Sequence, residues 1–188
     1  MMRGYAALGV EEVSKARNAG AVIRTAHAFD AAFAFLVGGD MGKREISQSD
    51  TSNAMDQIPF YRFDGPRDLA LPSGCQLVGI EITDNANDLP SFRHPRMAAY
   101  ILGSERAGLS PEMLDLCDHT VKIPTRFSLN LAVAGALVLY DRMVSLDRFA
   151  PRPLMPGGPL EDLQEPVFGE PLWKKKARRR KKQTDRPG

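Results

Sequence analysis

The stretch "ILGSERAGLS", Ile101 to Ser110, runs from an apolar segment into a glycine, a serine, a glutamate and an arginine, then into a second glycine. Charges this close to a strand end ordinarily face water. Here Glu105 stands between Gly103 and Gly108, in a loop that leads into a helix. Two other segments hold polar side chains that core packing does not explain. In "NAGAVIRTA", Asn18 opens an apolar helical pattern that Arg24 interrupts. In "IPTRFSLNLAVAGALVLYD", Ser128 and Asn130 precede a long apolar run. A carboxylate, a guanidinium, a hydroxyl and two amides are groups that hold and orient a polar ligand. Each also has a structural reading. Arg24 packs its stem and snorkels, Ser128 caps the helix, Asn130 satisfies loop carbonyls, and Glu105 joins a surface ion pair.

Other chemistries lack their residues. Gly38 and Gly42 in "GGDMGKR" enclose three residues, and Arg44 follows Lys43, so the phosphate-loop spacing fails. No G-x-G-x-x-G follows the first strand and no G-x-S-x-G elbow exists. His27, His94 and His119 are scattered, which leaves zinc without a ligand set, so no metal is expected. Cys75 and Cys117 form no C-x-x-C pair and read as reduced, small core residues of a cytoplasmic protein.

The elements that must position these groups alternate. "YAALGV", "FAFLVGG", "IPFYRF", "CQLVGIEIT", "AAYILG" and "HTVKIP" read as strands. Helices are expected over Asn18 to Ala31 with Asn18 as N-cap, over "SPEMLDLC" with Ser110 as N-cap and Pro111 first, and over Leu129 to Leu146. Apolar strands alternating with helices imply an α/β fold, its mostly parallel sheet covered by helices on both faces. Ligands of such sheets bind at the carboxyl edge, where Glu105 lies.

The chain of 188 residues has a net charge of +2, but the charge is divided. Residues 1–150 carry 15 lysines and arginines against 18 acids, whereas residues 173–188 carry nine against one. Three parts are expected: a folded domain over 1–149, a Pro/Gly-rich linker over 150–172 and a basic tail over 173–188. The linker has apolar residues Leu154 and Phe168 with which to drape over the domain, as does Trp173 after it. The tail's Lys174, Lys175, Lys176, Arg178, Arg179, Arg180, Lys181 and Lys182 form a run with two readings, a solvated solubility tail or a flexible arm that holds RNA or DNA by neutralising phosphates. No apolar run reaches the 18 or so residues of a membrane span.

Together and in order, the three segments resemble the SPOUT-class RNA methyltransferases of the TrmH type, which methylate ribose 2′-hydroxyls. Asn18, Gly20 and Arg24-Thr25-Ala26 match the first motif. Gly103, Glu105, Gly108 and Leu109 match the second. Ile123-Pro124 and Ser128-Leu129-Asn130 match the third. The likeness covers roughly residues 3–145. Asp30 departs from it, standing where the family often has glycine, and so does the short loop "TRF" after Pro124. The resemblance implies the SPOUT fold with a C-terminal trefoil knot, a homodimer packed through the last helix, S-adenosylmethionine as cofactor, and RNA as substrate, tRNA in preference to rRNA. It implies a catalytic set of Asn18, Arg24, Glu105, Ser128 and Asn130. The cofactor would be held near Thr83, Leu102, Gly103, Ile123, Ser128 and Leu129. A SPOUT base methyltransferase and a non-catalytic RNA-binding module on the same fold are the alternatives.

Overall fold

The computed structural model describes residues 4–39, 45–46, 53–147, 149–150, 152–154 and 156–158. Seven strands form one sheet among them: β1 (Tyr5–Glu11), β2 (Phe33–Val37), β3 (Phe60–Phe63), β4 (Gln76–Ile80), β5 (Asn87–Asp88), β6 (Met97–Leu102) and β7 (His119–Lys122). Their order is β3-β2-β1-β6-β4-β7-β5, and every pairing is parallel. All carboxyl ends therefore lie along one edge. The helices are α1 (Ala16–Ala28), α2 (Ala54–Gln57), α3 (Pro111–Leu116) and α4 (Leu131–Leu146). The α/β fold with a parallel sheet thus agrees with the sequence, whereas β5 and α2 are too short to leave a period in it.

Alternation along each strand divides the core. Leu8, Val10, Leu36, Val78 and Tyr100 face Val22 and Ile23 of α1 and Val138 and Leu139 of α4. Ala7, Phe35, Val37, Leu77, Ala99 and Ile101 face the other way, against Leu109 and Met113 of the α3 segment. Each large side chain so buried contributes roughly 1.5–3 kcal/mol before entropy is counted.

Two helix boundaries differ from expectation. Helix α1 starts at Ala16, with Lys15 in the cap position and no side-chain cap. Asn18 lies inside the first turn and is buried, so it is not the N-cap. The helix ends at Ala28 because Asp30 takes a left-handed φ of +53°. The Ala31 N–H then donates to Ala26 O and the Asp30 N–H to His27 O, a Schellman closure. Helix α4 starts at Leu131, not Leu129, because Asn130 caps it: Oδ1 accepts from Ala132 N at 3.0 Å. Helix α3 is as expected, with Ser110 Oγ accepting from Met113 N.

The far end of α4 is anchored by polar groups. Arg142 is buried and donates to the carbonyls of Tyr5 (2.9 Å) and Arg96 (2.6 Å). His94 is buried beside it, with Nδ1 2.6 Å from Tyr100 OH and Nε2 2.9 Å from Asp141 Oδ2. A neutral imidazole satisfies both: Nε2–H donates to Asp141 and Nδ1 accepts from Tyr100. Cys75 and Cys117 are free thiols, and burial pushes Cys117 up to about 12. Of the apolar residues of the linker and tail, Leu154 is exposed, and Phe168 and Trp173 lie outside the described residues. Among the described residues, no helix is long and apolar enough to cross a membrane.

A candidate ligand cleft at the carboxyl edge

Strand β6 sits between β1 and β4, with Leu102 opposite both Val10 and Ile80. One residue further on, Gly103 leaves the sheet, with Glu11 ending β1 on one side and Glu81 following β4 on the other. The chain then folds into a tight hairpin. Ser104 N donates to Gly108 O (3.1 Å), Gly108 N donates to Ser104 O (3.0 Å), and Ala107 N donates to Ser104 Oγ (3.2 Å). Gly103 is required there, because a Cβ would lie 1.9 Å from the Gly108 carbonyl carbon. Gly108 has φ +70° and is packed against the Glu81 carboxylate.

This hairpin forms one wall of a cleft of about 200 Å³. Ile80, Glu81 and Ile82 form its floor at the end of β4; Leu102 to Glu105 and Gly108 form the first wall. Lys122, Ile123, Thr125, Ser128 and Leu129 form the second, which runs on to Leu131 and Ala134 of α4. The second wall turns tightly: Thr125 N donates to Ile123 O (2.7 Å), and Thr125 Oγ1 donates to Phe127 O (2.9 Å).

Of the residues expected to hold a cofactor, Leu102, Gly103, Ile123, Ser128 and Leu129 line this cleft. Thr83 is not on its lining; it lies one residue past Ile82, and its carbonyl accepts from Ala86 N. Of the expected catalytic set, Glu105 and Ser128 line the cleft, both with exposed side chains. Asn130 is turned to capping α4. Asn18 is buried in α1, and Arg24 is exposed two turns later; neither is on the lining. The basic run Lys174 to Lys182 lies outside the described residues, as do residues 40–44 of the rejected phosphate loop.

Glu11 and Glu81 do not belong to the set the sequence points to. Both close an apolar strand with a carboxylate, and that is the signal by which they are legible in "YAALGVE" and "QLVGIE". Glu11 is only 2% exposed and accepts from Ser110 N (2.7 Å) and Ser110 Oγ (2.6 Å). Glu81 accepts from Leu109 N (2.7 Å) and Ile82 N (2.9 Å).

Beside α1 lies an apolar groove lined by Thr25, Phe29, Ala132, Val133, Ala136, Leu137 and Tyr140. Val133, Leu137, Tyr140 and Val144 of α4 are all exposed along this side.

Known proteins of the same kind share this architecture. The chain is 32% identical over 137 residues to the tRNA (guanosine(18)-2′-O)-methyltransferase of Escherichia coli K12, a match over 70% of this chain and 60% of that protein. The solved SpoU methyltransferase AviRb of Streptomyces viridochromogenes superposes with a TM-score of 0.65 at 26% identity, over 76% of this chain and 61% of that one. An AdoMet-bound rRNA methyltransferase of Sinorhizobium meliloti superposes with a TM-score of 0.67 at 24% identity, over 78% and 58%, a likeness of fold. The chain thus spans about three fifths of the length of the relatives it matches. The family described as the SpoU rRNA methylases matches residues 6–140, most of the described domain, and the chain belongs to that family.

Proposed function

We propose that the protein is an S-adenosylmethionine-dependent RNA methyltransferase acting on a ribose 2′-hydroxyl, of tRNA in preference to rRNA, as a cytoplasmic homodimer with a trefoil knot. The observation that carries this reading is the cleft itself. Two of the three family motifs converge on it, from loops that follow β6 and β7.

The lining fits the cofactor's parts. Ile80, Leu102, Ile123, Leu129 and Ala134 offer apolar surface to a flat adenine. Glu105 gives the cleft negative charge suited to a sulfonium, and Lys122 suits a carboxylate. Gly103 leaves main chain open to close approach. When bound, S-adenosylmethionine supplies an electrophilic methyl group that needs no further activation.

The chain's task is then to present a ribose hydroxyl and ease the loss of its proton. A guanidinium keeps its protons and offers donors only, so Arg24 orients the hydroxyl or the neighbouring phosphate as a fixed planar donor. Asn18, in the same helix, is assigned to the substrate side. Glu105, at the first position of the hairpin turn, organises the cofactor side. Ser128 offers a hydroxyl to cofactor and substrate, and Asn130 fixes the start of α4 that follows it. Arg24 is adjacent to Thr25, which lines the apolar groove, so the substrate arginine adjoins the face that a second copy would cover. That face, Val133, Leu137, Tyr140 and Val144, supports the dimer, since an unpartnered apolar stripe of this kind marks an interface. The basic tail serves RNA capture, because residues 1–150 are net negative.

The test is methyl transfer to RNA from cells lacking the protein, followed by digestion and mass spectrometry of the nucleosides. A 2′-O-methylated nucleoside is expected. A base-methylated nucleoside identifies a base methyltransferase, and cofactor-free RNA binding without transfer identifies a binding module. Arg24→Ala abolishes transfer while S-adenosylmethionine affinity, read by calorimetry, stays within about threefold, because Arg24 is assigned to the hydroxyl and its loss is a transition-state loss. Wild-type turnover by Arg24→Ala would make it an ordinary surface arginine.

A further inference from the structure

The geometry points to Glu11 and Glu81 as the positioning residues of the cofactor wall, an assignment that rests on the cofactor reading above. Neither is placed at the reacting atoms. Each acts through the Gly103–Ser110 loop, which they hold from opposite sides.

Strand register puts them there. Leu102 is paired with Val10 of β1 and Ile80 of β4, so the next residue of each neighbour, Glu11 and Glu81, flanks Gly103. Glu81 binds the loop's main chain: Oε2 accepts from Leu109 N at 2.7 Å, while Oε1 accepts from its own neighbour Ile82 N at 2.9 Å. Gly108 is fitted against this carboxylate so closely that a Cβ would lie 2.4 Å from Oε2. Glu11 holds one residue with both oxygens, Ser110 N at 2.7 Å and Ser110 Oγ at 2.6 Å. Ser110 Oγ also accepts from Met113 N, so the same contact sets the start of α3. A carboxylate as buried as Glu11 is tolerated only when its oxygens are engaged in this way. Glu105 itself rides on the exposed turn between Ser104 and Gly108. Its place over the cleft is set by what pins the turn's base.

The two carboxylates differ in a testable respect. Both partners of Glu81 are main-chain N–H donors. A glutamine has one acceptor oxygen, and its NH₂ cannot accept, so Glu81→Gln leaves one amide facing a donor. One partner of Glu11 is a hydroxyl, which can reverse. In Glu11→Gln the amide oxygen accepts from Ser110 N and the NH₂ donates to Ser110 Oγ, so both contacts survive. A carboxylate that merely stabilised the fold would lower the melting temperature without changing the affinity of the folded chain.

The experiment is calorimetric titration of S-adenosylmethionine into the full chain and its variants, beside thermal melting of each. Glu81→Gln and Glu81→Ala are expected to weaken binding by about ten- to a hundredfold, the effect of losing a charge-assisted hydrogen bond. Glu11→Ala should weaken it by about tenfold and Glu11→Gln by no more than about threefold. Equal affinities for wild type and all four variants overturn the assignment while leaving the cofactor reading intact. A wild type that binds no S-adenosylmethionine overturns both. If a variant does not fold, amide exchange in the wild type decides: Leu109 and Ser110 amides should be protected relative to Glu105 and Arg106. Exchange as fast as that of the exposed turn refutes the clamp.

Discussion

The two walls of the cleft are built in different ways. The first, Gly103 to Ser110, is tied into the sheet: Glu11 and Glu81, from strands on either side of β6, accept its main-chain donors. The second, Ile123 to Asn130, is fastened by side-chain and turn bonds within itself and to the first turn of α4. Phe127 at its tip is 75% exposed. Register therefore sets the first wall as soon as the sheet forms. The second wall is set by α4, whose polar anchors, Asp141 and Arg142, begin ten residues beyond Leu131, about 15 Å along the helix. One wall is held locally and the other from a distance.

The difference is broken most severely at Gly103. A methyl group at that position meets the Gly108–Leu109 main chain at 1.9–2.1 Å, and backbone held on both sides cannot yield. Gly103→Ala should cost about 3 kcal/mol, lower the melting temperature by roughly 10 °C, and abolish S-adenosylmethionine binding. The same kind of change in the second wall, Ser128→Ala, should stay within about 0.5 kcal/mol because Ser128 is exposed. Equal melting curves for the two variants would mean that the first wall is not rigid.

Next come the anchors of α4. Arg142→Met leaves the Tyr5 and Arg96 carbonyls without their guanidinium donor and should cost about 2 kcal/mol by chemical denaturation. His94 should show itself in pH dependence. Burial holds its pKa below the ordinary 6.5, against the pull of Asp141. An unfolded histidine takes up a proton near pH 6.5 while the folded one resists, so the unfolded state binds more protons there. His94's contribution is complete above pH 6.5 and falls as pH drops. Wild type should lose more stability between pH 7 and pH 5 than His94→Gln, whose amide can still donate to Asp141 and accept from Tyr100. Parallel pH profiles would remove His94 from the anchor.

The sequence was most informative where period and chemistry coincide. Six apolar runs become strands, and "GLSP" shows both the cap and the start of α3, because Ser110 and Pro111 act on adjacent atoms. Glu105 and Ser128 were legible as cleft residues through their motifs. Glu11 and Glu81 are legible only as carboxylates that close apolar strands; their role is not, because their partners are 99 and 28 residues away and only sheet order brings them together. His94 and Asp141 are separated by 47 residues and depend on the packing of α4 in the same way. Asn18 was misplaced by a local rule: asparagine favours caps, but burial of its face of α1 took it inside the helix.

Within the second wall, Thr125 is the local fastening. Thr125→Ala removes the hydroxyl that binds the Phe127 carbonyl. The expected cost is about 0.5–1 kcal/mol at most, since both groups reach water. The affinity for S-adenosylmethionine should fall by less than for Glu81→Gln. A larger fall would reverse the ranking of the walls.

The smallest effect is expected outside the cleft, at the turn that ends α1. Asp30 adopts φ +53°, the conformation that the Schellman closure demands at this position. A side chain in the left-handed region is penalised by roughly 1 kcal/mol, less for aspartate than for most residues because it bonds its own backbone. Glycine there removes the strain but enlarges the freedom of the unfolded chain, and the two effects oppose each other. Asp30→Gly should therefore gain only about 0.5 kcal/mol, a rise in melting temperature of about 1–2 °C. Asp30→Ala keeps the Cβ, lacks the tolerance of aspartate for the left-handed region and should fall below wild type. Because the turn touches neither wall, S-adenosylmethionine affinity should stay constant across all three chains, whatever their stability. A variant ranking of alanine above aspartate would show that the turn is not held in the left-handed region. A change in affinity with Asp30→Gly would show that the helix carrying Arg24 is coupled to the cofactor walls, against the separation of substrate side and cofactor side argued from the cleft.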